Sequence, residues 1–140
     1  MNINEALRNI NEFIPSGNES ADLDSLYSLT DSIEDKNNKD IKYALIQILE
    51  KYPDAELGSP GPIVHLLEGS EISEHIELLS ASIKRKPTVM TIWMAERCLR
   101  TELSIKNKDK LLESLLFSSK NKNTKEVSES IQEALDVYKS

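Results

Sequence analysis

At 140 residues, 39% apolar and 5% aromatic, the chain has the size of one domain and a lean core supply of Leu, Ile, Val and Ala. No run approaches the roughly 18 to 20 apolar residues of a membrane span. The single cysteine, Cys98, excludes an internal disulfide and any cysteine-rich zinc site. The opening segment MNINEALRNINEFIPSG carries Glu5 and Glu12 without an apolar block, so it does not read as a secretory leader. These features predict a single helical domain over 1–140, located in the cytoplasm.

The net charge of −7 is uneven. Residues 1 to 82 hold sixteen acids against five bases, and residues 83 to 140 eight acids against twelve bases. An acidic half argues against nucleic acid and for a basic protein partner. The plainer reading is that charge keeps a small helical protein in solution.

In chain order, Ile3, Leu7, Ile10 and Ile14 predict a first helix stopped by Pro15 and Gly17. Ser20 offers the cap of a second, whose stripe is Leu23, Leu26, Tyr27, Thr30 and Ile33. A polar turn over residues 35 to 38 leads to a third with Ile41, Ala44, Leu45, Ile48, Leu49 and Tyr52, ended by Pro53. The loop PDAELGSPGP then has a definite shape, because proline and glycine at this density fix backbone angles. A short helix over Pro62–Glu68 is apolar on nearly all sides, so it is expected against several neighbours. Gly69 and Ser70 break it. A fifth helix carries Ile72, Ile76, Leu79 and Ile83 and closes on Lys84, Arg85 and Lys86, which suit the negative end of its dipole. Pro87 ends it. Thr88 caps a sixth with Val89, Ile92, Trp93, Glu96 and Leu99, and part of the Trp93 ring should pack on a neighbouring helix. Asn107 opens a seventh with Leu111, Leu112, Leu115 and Leu116. Thr124 caps an eighth with Val127, Ile131, Ala134, Leu135 and Tyr138.

No segment alternates as a strand. Taken in pairs, the helices begin near 3, 39, 73 and 108, a period of about 35 residues within the range of stacked helix pairs. The expected fold is all-α: an irregular stack of about eight helices in antiparallel hairpins, of the HEAT or armadillo solenoid type. A helical bundle is the alternative.

Catalytic signals are weak. Cys98 lies mid-helix among apolar residues, the setting of an inert core thiol. His65, inside Ile63-Val64-His65-Leu66-Leu67, is expected to be buried and hydrogen-bonded rather than to act as a base. His75, between Glu74 and Glu77, is expected on a solvated face. HExxH is absent, and LGSPGP lacks the Lys-Ser/Thr pair of a phosphate-binding loop. The expectation is therefore no enzyme, no metal and no cofactor. The loop itself carries Asp54 and Glu56, with Glu68, Glu71 and Glu74 following in sequence. A rigid acidic loop loses little entropy on binding and is a candidate partner site, although it also serves simply to join two helices.

Two segments, GSPGPIVHLLE at 58–68 and KRKPTVMTIWMAERCL at 84–99, resemble small helical immunity proteins of bacterial polymorphic and contact-dependent growth-inhibition toxin systems. Their shared Pro60, Gly61, Pro62, His65, Arg85, Pro87, Thr88, Trp93 and Met94 look architectural. The resemblance implies a non-enzymatic inhibitor that covers a cognate toxin C-terminal domain, with no nucleic acid or membrane as partner. A toxin nuclease is commonly basic, and an acidic inhibitor would be steered to it. The competing function is a helical scaffold or adaptor for a cellular protein; a third is an enzyme built around His65.

Overall fold

The computed structural model describes residues 1–139, and among these the regular structure is eight α-helices with no strand. They are α1 (Ile3–Glu12), α2 (Glu19–Asp31), α3 (Lys39–Lys51), α4 (Pro62–Glu68), α5 (Ile72–Arg85), α6 (Val89–Leu99), α7 (Ile105–Ser119) and α8 (Lys125–Tyr138). All eight predicted helices are present. No helix among the described residues is long and apolar enough to cross a membrane. The chain divides into two compact units, Met1–Glu71 and the part from Ile72 onward.

Short polar side chains start most of the helices by accepting an otherwise orphaned backbone N–H. Asn2, Asn18, Asn38, Ser104 and Thr124 do this at α1, α2, α3, α7 and α8. Two predicted starts shift. Asn18, not Ser20, caps α2, its side chain accepting from Ala21 N at 3.0 Å. Ser104, not Asn107, caps α7: Asn107 lies within the first turn and donates its own N–H to Ser104 Oγ at 3.1 Å. Thr88 caps α6 as predicted, and it closes a capping box with Thr91 in place of the usual Glu. The Thr91 N–H reaches Thr88 Oγ1 and the Thr88 N–H reaches Thr91 Oγ1, both at 3.1 Å.

In the first unit, α1 packs on α3 and α2 on α4. This next-but-one pairing is compatible with a stack of helices, as the all-α reading expects. The core is Ala6, Ile10, Leu26, Ile33, the aliphatic residues of α3 from Ile41 to Leu49 (Tyr43 of that helix is exposed), Leu57, Ile63, Val64 and Leu67. Helix α3 is buried around most of its girth, with Lys42 and Glu50 also inside. Ile14, expected on the α1 stripe, lies past the helix end and is 74% exposed. Tyr27 also turns outward, and Asp22, Leu26 and Thr30 form the buried face of α2 instead.

The second unit repeats the pattern, α5 packing on α7 and α6 on α8, with sequential contacts α5–α6 and α7–α8. Ile76, Leu79, Ile83, Ile92, Met94, Leu111, Leu115, Ile131 and Leu135 are buried, as are Ser80, Ser82, Ser114 and Ser118. Small side chains let α5 and α7 approach closely, and Ser118 Oγ donates across them to Ile83 O at 2.7 Å. Cys98 is buried in α6, and Trp93 is half-buried with the Arg97 guanidinium 4.9 Å from its ring centre.

Candidate partner-binding surface

The loop between α3 and α4 is fixed at three points. At its start the Tyr52 hydroxyl donates to Phe13 O at 3.3 Å, tying the end of α3 to the end of α1. In its middle Leu57 is buried to 4% exposure. At its end Gly61 O accepts the His65 N–H at 2.9 Å, and Pro62 occupies the first turn of α4, where a missing N–H is harmless. Between these points the backbone doubles back. Gly58 has φ +92°, and a Cβ there would lie 2.6 Å from Gly61 Cα. A Cβ on Gly61 would collide with the Leu57 carbonyl oxygen. Both positions therefore require glycine.

This pinned loop presents Asp54 and Glu56 to solvent. Glu56 meets Glu19, the first residue of α2, and the pairing pushes the Glu19 carboxyl above its usual range, through its hydrogen bond with Glu56 and then through their mutual repulsion. Glu19 is the neighbour of this candidate loop that linear reading misses, since nothing local in sequence links it to the loop. Asp22, one turn along α2, behaves oppositely. Its Oδ1 accepts the Ser16 N–H at 2.8 Å and the Ser16 hydroxyl at 2.9 Å, and the backbone donor foremost holds its carboxyl below the usual range. Of the other candidates, Glu68 is half-buried at the end of α4, and Glu71 is exposed just after it. Glu74 is exposed in the first turn of α5, in the second unit. Glu68, Glu71 and Glu74 each already have a polar or electrostatic contact within the chain.

The charge imbalance coincides with the structural division. Met1–Glu71 holds fourteen acids against five bases, net −9, and residues 72–140 hold ten acids against twelve bases, net +2.

The two histidines exchange their expected places. His65 is exposed, because Pro62, Ile63, Val64 and Leu67 fill one arc of α4 and a step of about 100° per residue sets His65 opposite. His75 is only 3% exposed. Helix α5 has neighbours on two sides, α6 and α7, so its buried surface extends beyond the Ile76–Leu79–Ile83 stripe to take in His75 and Ser82. His65 lines an open cleft of about 360 Å³ in the first unit, together with residues from the end of α2 and the turn after it. Among the described residues no three His, Cys, Asp or Glu side chains are grouped to hold a metal ion.

No protein-family model, curated protein or solved structure matches this chain.

Proposed function

We propose that this chain is an immunity protein that binds and neutralises a cognate, basic bacterial toxin domain by a non-catalytic protein–protein contact. The observation that carries the reading is the gathering of net −9 on one compact unit, where a rigid loop exposes Asp54 and Glu56 and presses Glu56 against Glu19. Two carboxylates held together repel in the free chain, and a cationic partner group would relieve that repulsion. A surface of one sign also steers a partner of the other sign during diffusion. The toxin class comes from the resemblance of the 58–68 and 84–99 segments. The alternative is a helical scaffold for a cellular partner, favoured by the layering of hairpins within each unit.

Co-expression with the product of the neighbouring upstream gene tests the reading, scored by toxicity rescue and co-purification. The wild-type chain should protect and co-purify. Replacing Glu19, Asp54, Glu56 and Glu71 together by Lys should abolish both while leaving the helical circular dichroism unchanged. A reversed chain that still protects with the same affinity would reduce this acidic surface to a solvated face.

A further inference from the structure

We infer that the cleft between α2 and α4 receives an arginine side chain of a basic protein partner. The inference rests on the basic-partner reading above and adds the residue type and its seat. The cleft, about 360 Å³, is lined by apolar Pro62 and Leu66, by the Tyr27 ring, which is 41% exposed, and by the exposed Asp31 carboxylate. Helix α2 ends at Asp31, and α4 ends at Glu68 beside the lining residue Gly69, so the C-terminal ends of both helices meet here. Helix C-termini carry partial negative charge and attract cations.

The chain shows that attraction itself. Lys36, also in the lining, donates its Nζ to Thr30 O at 2.9 Å and to Ile33 O at 2.8 Å. Those bonds hold the ammonium on the end of α2, while Asp31 stands in the lining with no such role. A guanidinium suits what the cleft offers. Its fork matches a carboxylate, its flat face stacks on a phenol ring, and its methylene stem packs on Pro62 and Leu66. An ammonium matches only the charge. The net −9 of this unit supplies the long-range attraction for a basic partner.

The test is a titration of the ¹⁵N-labelled full chain at pH 7.5 with N-acetyl-arginine methylamide, and with the corresponding lysine and citrulline amides. The arginine probe should shift the amide resonances of Tyr27, Asp31, His65 and Leu66 saturably. The citrulline probe, which keeps the shape and loses the charge, should bind about tenfold or more weakly, the loss of one charge-assisted contact. Asp31→Asn should weaken the arginine probe by about the same factor with the rest of the spectrum in place. Absence of a saturable response in the cleft, equal binding of citrulline, tighter binding of lysine, or shifts spread over all carboxylates of the unit would each overturn the inference. The toxin is absent from this titration. Failure here with intact protection in cells removes the arginine seat alone, and success here without protection removes the immunity reading alone.

Discussion

Ser80 and Ser118 show how differently two buried hydroxyls weigh. Ser118 Oγ donates to Ile83 O, whereas Ser80 Oγ is buried with no hydrogen-bond partner among the described residues. A buried hydroxyl that exchanges water for nothing costs free energy, and one that finds a carbonyl returns it. Ser118→Ala should therefore destabilise by about 0.5 to 1.5 kcal/mol, and Ser80→Ala should be neutral or stabilising, as read by urea denaturation. Asp22 gives a pH signature. Its carboxyl is held below the usual range, so its stabilisation is present at neutral pH and is lost as pH falls through the lowered value. Asp22→Asn keeps the shape and removes the titration. Its melting temperature should fall less between pH 5 and pH 2.5 (conditions bracketing about the usual aspartate range) than that of the wild type. Trp93 is half-buried, so Trp93→Ala should cost less than the roughly 3 to 5 kcal/mol of a fully buried aromatic. An unchanged melting temperature with lost partner binding would make it an exposed anchor.

At the scale of elements, the loop from Tyr52 to Gly61 is the part whose shape depends most on individual residues. Gly58 needs its left-handed backbone and its closeness to Gly61, and Gly61 needs the space beside the Leu57 carbonyl. Gly58→Ala should cost more than about 1 kcal/mol, because the conformational penalty adds to a contact that must open. Gly61→Ala should cost at least as much, since its obstruction is backbone rather than a flexible side chain. Thermal melts of the two variants check this. Either change should also displace Asp54 and Glu56 and weaken partner binding beyond the loss of stability. Unchanged binding by a still-folded Gly61→Ala chain would show that the loop's shape is irrelevant to the partner.

Over the whole chain, the decisive property is the separation of net −9 from net +2 at the boundary between the two units. Association of the acidic unit with a basic partner should slow as salt rises, because screening shortens the reach of exposed charge to about 8 to 10 Å at 0.10 to 0.15 M ionic strength. Stopped-flow association rates across a salt series measure this, and a flat series would rule out steering. The Glu19–Glu56 pair adds a slope opposite to that of Asp22. An acid whose value is raised in the folded chain binds its proton more readily there, so ionised Glu19 beside Glu56 opposes folding at neutral pH and ceases to do so as Glu19 is protonated with falling pH. Glu56→Gln should therefore raise the melting temperature at pH 7 and lose that advantage near pH 4 (about the usual carboxylate range).

Helix number and type were legible in the sequence, because each helix declares itself locally. Apolar residues recur at helical spacing in α3, α5 and α8, Pro15, Pro53 and Pro87 mark the stops, and Thr88 and Thr124 sit where orphaned N–H groups need an acceptor. The acidic excess was equally visible, being a matter of counting. Burial was less so wherever a helix has more than one neighbour. His75 lies off the obvious stripe of α5 and is enclosed because α6 and α7 both cover that helix, whereas His65 lies among apolar residues and faces out because α4 spends one arc on its partners α2 and α3. The acidic loop was visible but its companion was not: Glu19 reaches Glu56 only through the packing of α2 on α4 and the doubling back at Gly58 and Gly61. Local propensity and capping act over a few residues and can be read along the chain, while burial and charge pairing depend on which helices meet, and that is decided in three dimensions.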